Sequence, residues 1–285
     1  MYNWLWMTLI SGVLFGFYDI FTKKALSRAS LLNVLMLYSI GNFILVSFEF
    51  NNAIHADIGS IGLILIKSVC IFFAWMLSFM AIRGLPISII SPFNMLVPIF
   101  TIILGVLILN ETLTLVEIIG VAVIMLSYYF IGKVGTVEVK GLFKNKFLYL
   151  MVISTFLSSI SAIIDKFLMK KINIGQMQFW FYLAVSIMYT AAFLFRRLKA
   201  GEPQPFKFSW FIILMSIFLV VSDRIYFGAV KIPTSEISII MPLRRISIFV
   251  SAIIGGFIFK EKNLMKKFLY ACLLIAGIAL VFAGK

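Results

Sequence analysis

The sequence predicts an all-α integral membrane protein with ten transmembrane helices. Of its 285 residues 62% are hydrophobic and 13% are charged, and the mean hydropathy is +1.10, a balance far from that of a water-soluble domain. In a bilayer every backbone polar group needs an internal partner, and an α-helix supplies these partners within one segment. The apolar residues also fall into separate runs of spanning length, which sets the number of helices.

The apolar runs form two sets of five around one polar break. They cover residues 4–22, 31–48, 61–82, 87–109, 114–131, 147–169, 177–195, 208–230, 237–259 and 268–282. Residues 1–132 are thus predicted as a first five-helix repeat, residues 133–146 as a linker and residues 147–285 as a second repeat. Because each half has an odd number of helices, the second half enters the membrane from the opposite face and is inverted.

Prolines, glycines and acidic residues punctuate both halves at matched positions. A shift of 150 positions superposes Pro92 on Pro242, Gly105 on Gly255 and Glu111 on Glu261. A proline removes a backbone donor and kinks its helix, and interrupted helices at matched positions of inverted halves point to a central binding site. Pro92, Pro98 and Pro242 are therefore predicted to shape that site. The alternative is that each proline only bends its helix for packing.

This punctuation carries a family resemblance. The matching features are Pro86, Pro98, Gly105, Asn110-Glu111 and Gly120 in residues 85–131, and Pro233, Pro242, Gly255, Glu261 and Gly277 in residues 232–282. Both segments resemble the repeat ending of the drug/metabolite transporter superfamily, in particular its ten-helix members with two inverted EamA-type repeats. The resemblance covers nearly the whole chain. It implies a secondary transporter that works by alternating access through a central cavity, and it leaves the substrate open because the superfamily moves many classes of metabolite.

Two consecutive arginines inside the ninth run, Arg244 and Arg245, are the strongest chemical signal. An arginine at the bilayer centre costs at least about 2.5 to 3.5 kcal/mol, so at least one of the two is expected to face the cavity. Guanidinium groups match carboxylate or phosphate with a fixed fork of donors, and the pair is similar to that of superfamily members that carry phosphorylated sugars. The alternative is a helix that begins later, with both side chains reaching the headgroups.

Other charged residues inside the runs extend the predicted site. Asp223 and Arg224 are adjacent in the eighth run and do not face each other on a helix, so each needs a partner from another helix. Asp223 is expected to neutralise an arginine or to titrate with a transported proton. Lys67 is assigned to the substrate, with a headgroup contact as the alternative.

Three further residues complete the predicted binding site. Asn94 is included because the repeat places it opposite Arg244, and Trp75 and Tyr226 are included as aromatic walls. Asp19 and Asp165 lie close to helix ends and are expected to pair with the lysines that follow them in sequence.

The predicted substrate is a small polar metabolite, anionic or zwitterionic, such as an amino acid, an organic acid or a phosphorylated sugar. Among the deeply placed charges the cations outnumber Asp223, which favours a carboxylate or phosphate. The predicted partners are that substrate, protons or a counter-solute, and the lipid bilayer of the cell membrane, with the chain a monomer or weak homodimer. The alternatives are a flippase for a lipid-linked phosphate headgroup and an intramembrane enzyme. The enzyme is disfavoured because the runs contain no histidine and no hydrolase or metalloprotease motif.

The net charge of +14 is interpreted as a topology signal and not as a nucleic-acid surface. Lysines and arginines gather in the odd-numbered connections, as in residues 23–28 and 196–199. The positive-inside rule then puts both termini outside the cytoplasm, whereas the family resemblance implies termini inside. No cofactor and no metal are expected, since the one histidine, His55, lies in a polar connection without a ligand set.

Overall fold

The computed structural model describes residues 3–84, 96–133, 146–199, 208–258 and 264–284. Its helices are α1 (Asn3–Leu26), α2 (Leu31–Val46), α3 (Phe50–Ala53), α4 (Ile58–Gly84), α5 (Leu96–Leu109), α6 (Leu115–Lys133), α7 (Lys146–Met169), α8 (Ile174–Lys199), α9 (Trp210–Lys231), α10 (Ile237–Arg244), α11 (Ile246–Ile258) and α12 (Leu264–Ala283). A 3₁₀ turn, Ser47–Glu49, joins α2 to α3. No strand occurs within these ranges, so the expected all-helical architecture is confirmed for them.

The helices have the lengths and composition of membrane spans. Within the described ranges, six segments are long and apolar enough to cross a bilayer: those of α1, of α2 with α3, and of α4, α7, α8 and α9. Shorter apolar helices lie in α5, α6 and α12. The chain is thus a multi-pass helical membrane protein. Pro92 and Asn94, and all of the predicted linker except its first and last residue, lie outside the described residues.

The ninth apolar run, predicted as one helix interrupted near Pro242, forms two separate helices. The helix α10 ends at Arg244 and α11 begins at Ile246, so Arg245 stands at the break. Pro242 lies inside α10 and offers no amide to the turn before it. At the break the amide of Arg245 donates to the Pro242 carbonyl at 3.2 Å, and the amide of Ile248 donates to the Arg245 carbonyl at 2.9 Å. These hydrogen bonds join residues three apart, as in a 3₁₀ turn, where an α-helix joins residues four apart. They end α10 within one turn of its proline.

Two glycines of α1 allow that helix to lie directly against the break. A Cβ at Gly12 would stand 2.6 Å from the carbonyl oxygen of Arg244, and a Cβ at Gly16 would stand 2.6 Å from the side chain of Val250. Glycines spaced by four residues let two helix backbones approach closely in a membrane. The exposed backbone of the break is therefore covered by α1.

The closest packing is between helices of the two halves of the chain, and it is reciprocal. The helix α1 packs on α9 and α11, while α7, the corresponding first helix of the second half, packs on α4 and α5. Likewise α2 packs on α9 and α8 packs on α4, and the pairs α2 with α8 and α6 with α12 close the arrangement. The main packing partners of these helices are therefore supplied by the other half of the chain.

Serine hydroxyls cross both of the equivalent interfaces. On the α1 side Ser222 Oγ donates to the Ser11 carbonyl at 2.9 Å, and on the α4 side Ser154 Oγ donates to the Ala74 carbonyl at 2.7 Å. Small hydroxyl residues that bond across helices are typical of membrane interfaces. They fix the depth at which the charged side chains of neighbouring helices meet.

Candidate functional site

Arg244 lies at the centre of a polar cluster inside the helix bundle. Its Nη2 donates to Asp223 Oδ1 at 2.5 Å and to Ser222 Oγ at 3.3 Å, both on α9. The guanidinium group also lies over the rings of Tyr226, 4.1 Å from the centroid, and Phe15, at 4.9 Å. The Arg244 and Asp223 side chains are only 14% and 13% exposed. The predicted residues Arg244, Asp223 and Tyr226 are thus brought together by the break after α10.

Asp19 supplies a second carboxylate to the same cluster. It projects from α1, and its strongest opposing charge is Arg245, followed by Arg244. Lys24, one of the lysines expected to pair with it, lies instead over the ring of Phe211, 5.1 Å from its centroid. Since Gly12 and Gly16 turn one face of α1 to the break, a carboxylate on α1 can meet the arginines there.

Lys67 and Asp165 form a second buried ion pair beside the first. The Lys67 ammonium donates to Asp165 Oδ1, and the two side chains are 5% and 4% exposed. Lys67 also lies over the rings of Phe181 and Phe227, at 4.6 and 5.2 Å from their centroids. The expectation that Asp165 pairs with the lysines after it is therefore wrong, and Lys67 does not reach a headgroup. A carboxylate at this depth needs a charged partner at the same depth, which α4 provides.

Tyr226 connects the two ion pairs. Its hydroxyl donates to Asp165 Oδ2 at 3.1 Å, while its ring carries the Arg244 guanidinium. On the other side Tyr182 donates its hydroxyl to Asp223 Oδ2 at 2.7 Å. Contacts therefore run without interruption through Tyr182, Asp223, Arg244, Tyr226, Asp165 and Lys67.

Aromatic rings close the cluster on the side of α2 and α4. Trp75, a predicted wall residue, lies 5.6 Å from Tyr38 and stacks on Tyr189 at 6.3 Å with an interplanar angle of 7°. Tyr38 in turn lies 6.5 Å from Tyr18 and within electrostatic range of Asp223. The sequence did not single out Tyr18, Tyr38, Tyr182 or Tyr189, because aromatic residues are common throughout the runs and only their mutual contacts distinguish these.

Arg224 points away from the cluster. Its Nη2 donates to Glu49 Oε1 at 2.6 Å, and its side chain is 45% exposed. Glu49 lies in the 3₁₀ turn and also accepts a hydrogen bond from Asn52. Successive residues on a helix point about 100° apart, so Asp223 and Arg224 face different surroundings. Arg224 ties the α2–α3 connection to α9 and is not part of the candidate site.

One donor of Arg244 is left open in the cluster. Its Nε atom is buried and has no hydrogen-bond acceptor among the described residues. The neighbouring Nη2 of the guanidinium group already donates to Asp223 and Ser222. An unpaired buried donor of this kind is rare in native structures and calls for a partner.

Two of the predicted helix-breaking prolines, Pro98 and Pro242, lie on helices that the structure describes. Pro242 lies two residues before Arg244 on α10, and Tyr128 donates its hydroxyl to the Pro242 carbonyl at 3.4 Å. Pro98 is buried on α5, and beside it Ser159 Oγ of α7 donates to the Val97 carbonyl at 3.0 Å. Over the described part of the chain, no three His, Cys, Asp or Glu side chains come together as a metal site.

Comparison with known proteins finds a family model that matches the first part of the chain. Residues 2–133 match the EamA-like transporter family. This match supports the resemblance to the drug/metabolite transporter superfamily, EamA type, that the punctuation predicted. One solved crystal structure is similar in fold, with a TM-score of 0.71 over 95% of this chain and 95% of the other chain. The two sequences are 11% identical, and at that identity the similarity shows the fold alone. No curated protein matches the chain.

Proposed function

We propose that this protein is a secondary transporter that carries a small zwitterionic metabolite of the amino-acid class through the cell membrane. The ligand binds where α10 is interrupted, between Arg244, Asp223 and Asp19. The EamA match supports transport as the general activity. The charged cluster beside a broken helix supports this position for the ligand, because such interruptions expose polar backbone at the binding sites of secondary transporters.

Alternating access between two inverted five-helix repeats is part of this proposal. The reciprocal packing of α1 on α9 and of α7 on α4 supports it. The sequence adds support, since residues 87–92 read ISIISP and residues 237–242 read ISIIMP. With ten spans arranged in this way, the two repeats rock against each other around the central cluster.

The observation that carries the ligand assignment is the open Nε donor of Arg244. A buried donor without a partner costs about 1–3 kcal/mol, which a ligand acceptor recovers. A carboxylate oxygen suits this donor best, because charge-assisted hydrogen bonds between guanidinium and carboxylate groups are roughly twice as strong as neutral ones. The ligand carboxylate is therefore placed with one oxygen on the Nε donor of Arg244, beside Asp223.

The charge balance favours a zwitterion over a simple anion. The expectation of excess positive charge does not hold for the described residues, because Arg244 meets Asp223, Arg245 meets Asp19 and Lys67 meets Asp165. An anion alone would bring an unbalanced charge into a buried, balanced cluster, at a large desolvation cost. A zwitterion adds no net charge and presents its ammonium group to Asp19 or Asp223.

The test is ligand-dependent thermal stability of the purified protein. Each standard amino acid is added in turn, with inorganic phosphate and glucose 6-phosphate as comparison ligands. A ligand that binds the folded state raises the melting temperature in proportion to the logarithm of its concentration over its Kd. We expect at least one amino acid to do so, and we expect its uptake into liposomes that contain the protein.

Arg244→Lys and Arg224→Lys form a matched pair of variants. Both keep the positive charge and remove Nε, but only Arg244 belongs to the site. We expect Arg244→Lys to weaken amino-acid binding at least about tenfold, or about 1.4 kcal/mol, and Arg224→Lys to leave it unchanged. If only the phosphate compounds stabilise the protein, the ligand is phosphorylated and is not an amino acid. If amino-acid binding weakens equally in both variants, Arg244 does not have the role assigned to it.

A further inference from the structure

We propose that the Lys67–Asp165 pair is a proton-binding site, separate from the metabolite site, through which proton movement drives transport. This inference rests on the proposed transport function and extends it to the energy source. It replaces Asp223, the sequence-based candidate, because Asp223 is held by a guanidinium group that stays charged at any physiological pH. Asp165 is paired instead with the ammonium group of a flexible side chain and accepts a second hydrogen bond from Tyr226.

The position of the pair suits a proton that controls conformation. Lys67 lies on α4 in the first half and Asp165 on α7 in the second, so the bond holds the two halves together. In one cycle a proton from one aqueous side forms an O–H bond on Asp165, which cancels its attraction for the Lys67 ammonium. The same O–H bond breaks on the other side, the proton leaves to water and the ion pair forms again. No other atom or electron is exchanged.

The groups that face the pair are few. From α9 Tyr226 donates its hydroxyl to Asp165, and Asp223 adds a like charge further along the same helix. From α8 the neighbour is the apolar ring of Phe181. On α7 itself Lys166 turns away and donates to the carbonyls of Val230 and Ser235. The described part of α5, which packs on α7, carries no titratable side chain.

Tyr226 provides the route between the proton and the metabolite. Its hydroxyl bonds Asp165 and its ring supports the guanidinium group of Arg244. When a carboxylate draws Arg244 towards its Nε side, the ring beneath must adjust, and the hydroxyl moves relative to Asp165. A proton on Asp165 acts along the same side chain in the opposite direction, as the reciprocity of coupled binding sites requires.

The first experiment detects the proton without any metabolite. Infrared difference spectra of the reconstituted protein are recorded from about pH 8 to about pH 5, and the C=O stretch of a protonated buried carboxyl group is followed. We expect the band in the wild type and in Asp223→Asn, and its loss in Asp165→Asn. The double variant Lys67→Gln/Asp165→Asn keeps a hydrogen-bonded pair without charge, and it gives the same readout if the single variant does not fold.

The second experiment measures coupling. Uptake of a mixture of radiolabelled amino acids into proteoliposomes is compared with and without an inward proton gradient. We expect the gradient to accelerate wild-type uptake by about fivefold or more, and the Lys67→Gln/Asp165→Asn variant to equilibrate amino acids without responding to it. Tyr226→Phe, which removes the hydroxyl that bonds Asp165, is expected to lower the ratio of uptake with the gradient to uptake without it.

The two experiments separate the failure of each proposal. Without amino-acid uptake by the wild type, the proposed substrate class fails, while the infrared band still decides whether Asp165 binds a proton. A band that is absent in the wild type, or that persists in Asp165→Asn, overturns the proton site. Uptake by the double variant that still responds to the gradient overturns it as well.

Discussion

Glu111 caps the first turn of α10 from the other half of the chain: its Oε1 accepts a hydrogen bond from the Ile237 amide at 2.7 Å. Its Oε2 accepts a second from the Ser238 amide at 2.9 Å. Asn110, just before it, has a φ of 54°, a left-handed conformation that asparagine tolerates better than most residues. A carboxylate at the end of α5 thus fixes the start of the short helix that carries Arg244.

Glu111→Gln is expected to destabilise the protein. The amide has only one acceptor oxygen and no charge for the helix N-terminus, so the loss should be roughly 1–2 kcal/mol. The measurement is the melting temperature of the purified protein in detergent. Asp57→Asn is the control, because Asp57 accepts a hydrogen bond from the Ser60 amide at 2.8 Å near the start of α4 but lies outside the bundle. An effect at Asp57 as large as that at Glu111 would contradict the importance of the cap between the halves.

Gly12→Ala is expected to disturb the break after α10. The new methyl group would meet the Arg244 carbonyl oxygen at 2.6 Å, and relieving such overpacking typically costs about 1–3 kcal/mol. Gly62→Ala on α4 is the matched control, since nothing lies within 4 Å of its Cβ position. It should gain up to about 1 kcal/mol from helix propensity. Melting temperatures that fall equally in both variants would show that the close approach of α1 is unimportant.

Lys67→Met is expected to be strongly destabilising and to be rescued by a second change. The single variant leaves the Asp165 carboxylate buried without its cation, which costs about 3–5 kcal/mol. In Lys67→Met/Asp165→Leu both charges are gone, and much of the stability should return. A double-mutant cycle of unfolding free energies measures the coupling. Additive effects of the two substitutions would show that the pair does not act as a unit.

A reporter fused after Lys285 is expected to lie outside the cytoplasm. The basic residues of the first connection lie beside the start of α9. The charged groups of Lys24 and Arg28 both lie over the ring of Phe211, each 5.1 Å from its centroid. The positive-inside rule assigns that face to the cytoplasm. The start of α1 lies one helix length away from it and packs on the end of α12, where Trp6 is 5.2 Å from Phe282. Paired fusions to a cytoplasm-specific and an exterior-specific reporter decide the orientation. If the cytoplasm-specific reporter is active instead, the predicted orientation is wrong. The lysines near the helix ends would then serve lipid or substrate contacts and not topology.

The sequence predicted the membrane class, the family and the central place of Arg244 because these depend on composition and on local signals. The break itself was expected near Pro242, although it falls at Arg245. The ion-pair partners were not predictable, since Lys67 and Asp165 are 98 residues apart and meet only through the register of α4 on α7. For Asp165 the nearest lysines in sequence were the wrong choice, because helix rotation and depth decide which charges meet. One available signal was missed: the four-residue spacing of Gly12 and Gly16, which is typical of close helix contact.

The reciprocal packing of the halves has a consequence for how the chain is made. Since α1 finds its main partner in α9, and α4 finds its partner in α7, the helices synthesised first have little to pack against within their own half. They remain in the bilayer, with Asp19 and Lys67 unpaired, until α7 and then α9 and α10 have been synthesised and inserted. The interval between insertion of α4 and insertion of α7 is therefore the period in which the nascent protein is most exposed to quality control.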